Sequence, residues 1–171
     1  MATVELEIRD ARREDVKQIM GLIRELAEFE KMPDQVKIDE KILEQDGFDS
    51  SPPAFIAYVV EDRSNPGIII AYAVCNIMYA TWLGKRFYIE DICVTEAYRK
   101  KGVGSKLFAH ICQEALKKGC VVMNFVVIDW NPAAKFYRKM GAVDATESIG
   151  WHWNVIDKKN MGKVAAQYKQ Q

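Results

Sequence analysis

The chain has 171 residues, of which 49% are hydrophobic, and its 24 basic and 24 acidic side chains give no net charge. This size and composition predict one soluble domain spanning residues 1–171, with its core at about residues 4–156, and the charge balance argues against general nucleic-acid binding. The chain has no apolar run of membrane length, no signal-peptide pattern, no C-x-x-C spacing among its four cysteines, and only two histidines. These features favour a cytoplasmic protein with free thiols, no membrane contact and no metal site.

A strand and two helices are predicted at the start of the chain. Residues 4–9 alternate apolar and charged side chains, which is typical of a half-exposed strand. A helical period begins at residues 14–15 and must end before Pro33. Its apolar stripe consists of Val16, Ile19, Met20, Ile23, Leu26 and Ala27. A shorter helix is expected at about residues 39–45, with Gly47 as its stop.

The middle of the chain predicts a hairpin and then a strand, a helix and a strand. Two apolar runs, residues 55–61 and 68–77, flank a polar turn and indicate an antiparallel hairpin. Residues 87–94 are rich in aromatic and β-branched side chains, as a central strand should be. An amphipathic helix is predicted to follow Gly102, and the continuous apolar run at residues 121–128 predicts another buried strand.

The remaining elements are predicted to be a capped helix, a late strand and a polar tail. Asn131 is a suitable helix cap with Pro132 after it, and the helix should end at Gly141. Residues 151–156 predict a strand, and residues 158–168 a helical or frayed tail. The element order β-α-α-β-β-β-α-β-α-β predicts an α/β protein with a mixed sheet flanked by helices.

Two neighbouring carboxylates, Glu90 and Asp91, interrupt the predicted central strand. Adjacent strand residues point to opposite faces, so at least one of the two meets the core or a cavity unless the strand is half exposed. Because a dry, unpaired carboxylate is costly, the pattern predicts a site that is wet, paired or used in chemistry. A structural carboxylate paired with a basic neighbour is the alternative to a catalytic base.

A basic turn with two glycines follows this strand directly, as Arg99-Lys100-Lys101-Gly102-Val103-Gly104-Ser105. Glycines allow backbone amides to approach a ligand, and a helix N-terminus favours phosphate, so the turn predicts an anion site. Residues 1–50 hold 8 basic and 14 acidic side chains, whereas residues 99–120 hold 6 basic and one acidic. This asymmetry would suit an anionic cofactor and a cationic substrate, although solvated helix faces would explain it more simply.

The motif Arg99-x-x-Gly102-x-Gly104, between a hydrophobic strand and an amphipathic helix, resembles the acetyl-coenzyme A (acetyl-CoA) signature of the GNAT N-acetyltransferases. Asn131, followed by Phe136-Tyr137 and Gly141-Ala142, resembles their second landmark. Further segments resemble the branch of spermidine/spermine and thialysine acetyltransferases, namely residues 24–31, 34–36, 81–84 and 88–91. The match extends over nearly the whole chain.

This resemblance implies the GNAT fold, acetyl-CoA as cosubstrate, and a cofactor site built mainly from backbone groups. The residues implied are Ile92, Cys93 and Val94 for the pantetheine arm, Lys100, Lys101, Gly102, Val103, Gly104 and Ser105 for the pyrophosphate, and Asn131, Pro132, Ala133 and Ala134 to complete the site.

The resemblance also implies an amine site and two catalytic roles. The amine-binding residues would be Phe29, Glu30, Trp82, Glu90, Asp91, Asn124, Phe125 and Val126. Glu90 would act as the base, through water, and Tyr137 as the acid that protonates the leaving thiolate. From helical spacing alone, Tyr137 is a core aromatic. Cys93 has no histidine near it in sequence, so a backbone contact is preferred to a covalent role.

The implied function is direct acetyl transfer to the primary amine of a small molecule by a homodimer. Polyamine-acetylating members carry a carboxylate where this chain has Ala80, which favours thialysine or a related amino acid over spermidine, spermine or a diamine. The interval from Asn131 to Tyr137 is one residue shorter than the family's usual spacing. A non-catalytic CoA-binding module and a protein-lysine acetyltransferase are the alternatives.

Overall fold

The computed structural model describes residues 5–167. The chain forms two compact units, Met1–Val126 and Val127–Gln171. The predicted strand start at Val4 and tail end at Tyr168 lie outside the described residues. Within residues 5–167, no helix is both long enough and apolar enough to cross a membrane.

A mixed β-sheet forms the centre of the first unit, with its strands in sequence order. The strands are β1 (Leu6–Asp10), β2 (Ile56–Asp62), β3 (Ile69–Ala80), β4 (Gly84–Val94) and β5 (Val122–Asn124). The pairs β1–β2, β2–β3 and β3–β4 are antiparallel, and β5 pairs in parallel with β4. The predicted mixed sheet and the predicted hairpin are therefore confirmed.

Two helices connect β1 to β2. Helix α1 (Val16–Phe29) follows a short 3-10 turn, and α2 (Glu40–Glu44) is capped by Asp39, whose carboxylate accepts the Ile42 amide at 2.9 Å. The predicted stop at Gly47 is wrong, because the chain continues as a π-helical turn, Gln45–Asp49. A Cβ at Gly47 would overlap the Phe55 ring, so this glycine serves close packing and does not end the helix.

The two longer helices of this unit bury opposite faces of the sheet. The buried side chains of α1 are Val16, Ile19, Met20 and Leu22, and they share a core with Val59 of β2 and Tyr72 of β3. Helix α3 (Val103–Lys117) buries Val103, Leu107, Phe108, Ile111 and Ala115. Tyr58 is adjacent to Val59 on β2 and so points to the other face, where its ring meets that of His110 of α3 with 5.1 Å between centroids. Each fully buried apolar side chain contributes about 1.5–3 kcal/mol to folding.

Helix α3 is the crossover between the parallel neighbours β4 and β5, as the sequence predicts. The strand predicted at residues 121–128 is correct only for Val122–Asn124. Beyond Asn124 the chain leaves the parallel ladder, so the remaining apolar residues have no strand to pair with among the described residues. An apolar run indicates burial but does not determine where pairing ends.

The second unit contains three short helices, α4 (Ala133–Lys139), α5 (Ala145–Ile149) and α6 (Lys158–Gln167). Asn131 caps the first of them as predicted, because its side-chain oxygen accepts the Ala133 amide at 2.9 Å. The strand predicted at residues 151–156 is wrong: this segment is irregular, with Trp153 69% and Val155 81% exposed. Its aromatic and β-branched side chains suit a strand, but among the described residues it has no partner strand to pair with.

Candidate functional site

A β-bulge lies at the point where β4 carries its two carboxylates. Val74 of β3 is opposite Asp91, whereas the next residue, Cys75, is opposite Ile89, so Glu90 is the extra residue on β4. A bulge leaves one residue out of the ladder and changes the direction of its side chain. Glu90 is accordingly exposed although Tyr88 and Ile89 before it are buried. The simple alternation expected from the sequence therefore does not hold here.

Asp91 is half-buried on the face of the sheet that α1 covers. Burial raises the pKa of its carboxyl above the ordinary value, and the hydroxyl of Tyr72, which donates to Asp91 Oδ2 at 3.3 Å, partly opposes that rise. The pKa of Glu90 is raised by partial desolvation and then by the negative charge of Asp91. Both carboxyl groups therefore hold a proton more tightly than free carboxyl groups do.

Helix α1 delivers a third carboxylate to the same cluster. Glu30 follows the last residue of the helix, and Lys31 after it has a φ of 61°, which turns the chain away. Burial and the charge of Asp91 raise the pKa of Glu30. The charge of Asp91 raises the pKa of both Glu30 and Glu90, so Asp91 links them into an electronegative cluster, which stabilises a bound cation. The structure thus brings together Glu30, Glu90 and Asp91 as the sequence predicts.

Strands β4 and β5 diverge immediately before these carboxylates. Their parallel ladder ends at Tyr88 and Asn124, while β4 continues to Val94. The β4 backbone at Ile92, Cys93 and Val94 therefore has no strand beside it on this side among the described residues. The side-chain oxygen of Asn124 is buried without a hydrogen-bond partner in the described chain. An open strand edge and a buried free acceptor suit an amide-bearing ligand such as a pantetheine arm.

The turn from β4 to α3 has the geometry of an anion site. Lys100 and Gly102 have positive φ values of 61° and 81°, and Gly102 caps α3 with no side chain on the first-turn amides. Those amides, at Val103, Gly104 and Ser105, have no acceptor within the helix. With Lys100 and Lys101 beside it, the turn fits a pyrophosphate.

Contacts from α1 hold this turn in place. Arg99 donates from Nε to the Val94 carbonyl at 2.8 Å and from Nη2 to Glu25 Oε1 at 3.1 Å. The same Glu25 oxygen accepts the Glu96 amide at 2.9 Å. Arg99 is the first residue of the glycine motif, and its guanidinium also lies over the Phe29 ring. Its side chain therefore contacts Val94, Glu25 and Phe29. This arrangement was not predicted from the sequence.

A second set of contacts joins the turn to the β2–β3 hairpin. The Tyr98 hydroxyl donates to Asp62 Oδ2 at 2.7 Å, and this bond is the main reason that the pKa of Asp62 is lowered. The Lys101 ammonium lies 5.0 Å from the centroid of the Tyr98 ring. The turn is therefore held by contacts with α1 and with the β2–β3 hairpin.

The other residues predicted to bind the amine are more dispersed. Trp82 is 86% exposed at the tip of the β3–β4 hairpin. Five residues of β4 lie between Gly84 and Glu90, so these two residues are roughly 20 Å apart along the strand. Phe125 makes an edge-on contact with Phe108, and Val126 is 59% exposed. Within this unit, the structure does not bring Trp82 to the carboxylate cluster.

The second unit carries the predicted acid and the last cofactor residues. The Tyr137 ring is half-buried and meets the neighbouring Phe136 ring at 66°, with 5.2 Å between centroids. Asn131, Pro132, Ala133 and Ala134 form the capped start of α4. Helix α4 therefore carries the predicted acid, and its capped start carries the last predicted cofactor residues.

Cys93 has the environment of a structural thiol. Burial is the main cause that raises its pKa, to about 11, so the thiol is protonated at neutral pH. A thiolate nucleophile needs the opposite shift. The environment of Cys93 therefore argues against a covalent role, and the backbone contact stays a prediction.

The sequence profile described as the Acetyltransferase (GNAT) family matches residues 18–142. The chain belongs to the GNAT acetyltransferase family. It is an N-acetyltransferase, and GNAT acetyltransferases use acetyl-CoA. The resemblance and the mixed-sheet fold predicted from the sequence are confirmed.

Two curated relatives and one solved structure illustrate this membership. The chain is 41% identical over 164 residues to a thialysine N-epsilon-acetyltransferase of Bos taurus, covering 92% of this chain and 96% of the relative. It is 34% identical over 150 residues to the Homo sapiens spermidine/spermine N(1)-acetyltransferase-like protein 1, covering 85% of this chain and 22% of that longer protein. An integron cassette protein from the mobile metagenome of V. cholerae has a TM-score of 0.72 at 22% identity, covering 94% of this chain and 97% of the other. The last likeness concerns the fold.

Proposed function

We propose that this GNAT enzyme transfers acetyl from acetyl-CoA directly to the primary amine of a small molecule, with thialysine or a related amino acid as its first substrate. The observation that carries the proposal is the cluster of Glu30, Glu90 and Asp91 at the divergence of β4 and β5. Their raised pKa values, to which the charge of Asp91 contributes at Glu30 and Glu90, support an electronegative site for a cationic amine.

Glu90 is proposed to be the base. An alkylammonium with a pKa of about 10 is almost wholly protonated at neutral pH and must lose a proton before it can attack. Glu90 is exposed enough to act through water, and its raised pKa makes its carboxylate a better proton acceptor than a free carboxylate. Asp91 and Glu30 then hold the cationic parts of the substrate.

Acetyl-CoA, when bound, supplies an activated acetyl group on a thiol leaving group. The open edge of β4 at Ile92, Cys93 and Val94 is proposed to hold the pantetheine arm. The first-turn amides of α3 are proposed to hold the pyrophosphate. The Tyr137 hydroxyl is proposed to donate the proton that the departing sulfur requires, since a phenol is a suitable donor for this step.

Ala80 is the basis for preferring thialysine. A polyamine extends its second ammonium away from the reacting amine, and the methyl group of Ala80, which is opposite Gly84 at the distant tip of the β3–β4 hairpin, offers that ammonium no attraction. A relative at 41% identity is named a thialysine N-epsilon-acetyltransferase, which supports thialysine over a polyamine as the substrate. Acetylation of spermidine, spermine or a diamine is the second candidate, supported by the likeness to the spermidine/spermine acetyltransferase-like protein.

The test is steady-state kinetics with thialysine and spermidine in competition, with CoA thiol release as the signal. We expect kcat/KM for thialysine to exceed that for spermidine. Ala80→Asp should narrow or reverse the preference, with Ala145→Asp in the second unit as the control for an added charge. A preference for spermidine in the unmodified enzyme would favour the second candidate.

We also propose that both units act as one N-acetyltransferase domain in a cytoplasmic homodimer. The family match runs without interruption across the boundary between the units at Val126 and Val127, which supports one domain. The exposed tip of the β3–β4 hairpin carries Tyr79, Trp82 and Leu83, an apolar surface of the kind that subunits cover. Sedimentation equilibrium should give twice the chain mass, and Trp82→Glu should shift it towards the monomer.

A further inference from the structure

Tyr72 is a buried tyrosine that carries its only polar atom towards the carboxylate cluster. It lies in β3 among apolar residues of the α1 core and has no exposed surface. A buried hydroxyl needs a hydrogen-bond partner, and an apolar core usually places phenylalanine where none exists. The Tyr72 hydroxyl has a partner, Asp91, at 3.3 Å.

The sheet register explains this contact. Tyr72 is directly opposite Cys93, and Val74 is directly opposite Asp91, so Tyr72 and Asp91 are diagonal neighbours on the same face. Long side chains span such diagonals. The contact is therefore set by the backbone of two central strands rather than by a flexible loop.

Within the described chain, burial and the Tyr72 hydroxyl set the pKa of Asp91, and no cation is among the causes of its shift. Its titratable surroundings are Glu30 of α1, Tyr72 of β3 and the β4 residues Tyr88, Glu90 and Cys93. All of these are acidic or neutral groups. Among the residues that the structure describes, the Tyr72 hydroxyl is the hydrogen-bond donor to the Asp91 side chain.

We propose that Tyr72 is a positioning residue of the amine site: its hydroxyl fixes the orientation of Asp91 and favours the ionised carboxylate that the substrate cation meets. The proposal rests on the proposed function, in which Asp91 holds that cation. Tyr72 itself lies behind Asp91 in the core and acts through it.

Removing this hydroxyl should have a selective effect. Tyr72→Phe keeps the ring and its packing while deleting one donor to a charged acceptor, a change that typically costs tenfold or more in affinity. At 3.3 Å the bond is longer than most hydroxyl–carboxylate bonds, so we expect roughly a tenfold rise in the KM for the amine. The KM for acetyl-CoA should stay within about twofold.

The chain offers a matched control in Tyr58. This tyrosine is equally buried, at 1% exposure, but its hydroxyl has no hydrogen-bond partner in the described chain and its ring faces α3. Tyr58→Phe deletes the same atom from the same sheet on the opposite face. It should change neither KM, so a general effect of losing a buried hydroxyl can be separated from the loss of the Asp91 contact.

The second readout is the titration of Asp91. Because the Tyr72 bond opposes the raised pKa of Asp91, Tyr72→Phe should raise that pKa further and move the acidic limb of the kcat/KM profile to higher pH. In an Asp91→Asn background the same substitution should no longer move the limb. Carbon-13 NMR of the Asp91 carboxyl in the free protein measures the shift without any substrate.

An unchanged amine KM together with an unchanged Asp91 titration in Tyr72→Phe would overturn the inference. An equal effect of Tyr58→Phe on both readouts would overturn it as well. If the unmodified enzyme acetylated none of the small amines, the proposed substrate class would fail, and the carboxyl titration in the free protein would still decide whether Tyr72 governs Asp91.

Discussion

The guanidinium of Arg99 lies over the ring of Phe29, with 5.1 Å between its central carbon and the ring centroid. Arg99 belongs to the glycine motif of the proposed pyrophosphate turn, and Phe29 is the last residue of α1, next to Glu30 of the carboxylate cluster. A planar guanidinium stacks on an aromatic face and still donates from its edge, which lysine cannot do. The contact therefore ties the cofactor turn to the amine side of the site.

Arg99→Lys should weaken both halves of the site. Lysine keeps the charge but cannot bond the Val94 carbonyl and Glu25 together while it covers Phe29. We expect a loss of about 1–2 kcal/mol in the free energy of unfolding, and higher KM values for acetyl-CoA and for the amine. Urea denaturation and steady-state kinetics measure these quantities.

Arg138→Lys is the matched control, because Arg138 pairs with Glu147 at the surface, where the two side chains are 56% and 72% exposed. Such an exposed pair contributes little to stability, so Arg138→Lys should change the free energy of unfolding by no more than about 0.5 kcal/mol. If Arg99→Lys raised the KM for acetyl-CoA alone, Arg99 would act as a phosphate ligand and not as the link to α1.

The role of Arg99 shows what the sequence can and cannot provide. The glycine motif locates the turn, because the turn and the helix after it are local in sequence. Glu25 lies 74 residues away from Arg99, and only the packing of α1 on the sheet brings them together. A contact of that separation has no periodicity by which it could be recognised.

Gly102→Val should reduce acetyl-CoA affinity by at least roughly tenfold. Apart from its chain neighbours and the backbone of its own helix, no atom of residues 5–167 lies within 4 Å of a Cβ built at this position, so there is room for a side chain. The φ of 81° is nevertheless strained for residues other than glycine, and most for a β-branched one. The turn must then rearrange, and its first-turn amides lose their common direction. Calorimetry with acetyl-CoA measures the change.

Gly21→Ala is the control for adding a methyl group at a glycine. Gly21 lies inside α1 without a positive φ, and apart from the backbone of α1 and the chain neighbours, no atom in the described part of the chain lies within 4 Å of its built Cβ. Alanine there should stabilise the protein by up to about 1 kcal/mol and leave cofactor affinity unchanged. Normal acetyl-CoA affinity in Gly102→Val would contradict the proposed pyrophosphate site at this turn.

The carboxylate pair was also only partly predictable. Glu90 and Asp91 are conspicuous in an apolar strand, and the cost of burying them indicates a site. The bulge that exposes Glu90 depends on how β4 pairs with β3, and that register comes from the whole sheet. Tyr72 was missed for the same reason. A tyrosine within the apolar run at residues 68–77 was the available signal, but its partner was not identifiable.

Glu30→Gln should stabilise the enzyme at neutral pH while reducing its activity. The folded protein raises the pKa of Glu30 above the ordinary value, so folding disfavours the ionised form. The charge therefore costs stability at pH 7, and the cost disappears as the pH falls through the folded-state pKa towards the unfolded value of about 4.3. We expect a melting temperature a few degrees higher at pH 7 and no difference near pH 4.

Glu40→Gln is the control, because the pKa of Glu40 is shifted in the opposite direction. Its pKa is lowered by a hydrogen bond from its own backbone amide and by Arg24, with which it forms a 3.0 Å ion pair. Its charge is favourable in the folded state, so removing it should give no gain at pH 7. Equal shifts in melting temperature for the two variants would refute the assignment of Glu30 to an electronegative cluster.

Tyr137→Phe should separate chemistry from binding. The substitution retains the ring that meets Phe136 and deletes only the hydroxyl proposed to protonate the leaving thiolate. Losing a general acid costs on the order of 10²-fold in turnover, whereas acetyl-CoA affinity should remain within about twofold. Single-turnover kinetics measures the first quantity and calorimetry the second.

Tyr79→Phe controls for the loss of a phenol elsewhere, since Tyr79 is 74% exposed on the β3–β4 hairpin. It should leave turnover unchanged. A Tyr137→Phe enzyme with normal turnover would remove this residue from the chemistry and leave it as the core aromatic that its helical spacing indicates. Reduced affinity for acetyl-CoA with normal turnover of the bound complex would instead assign Tyr137 to cofactor binding. An acid that acts only on the leaving group changes the rate of transfer and leaves the affinity of the enzyme for acetyl-CoA unchanged.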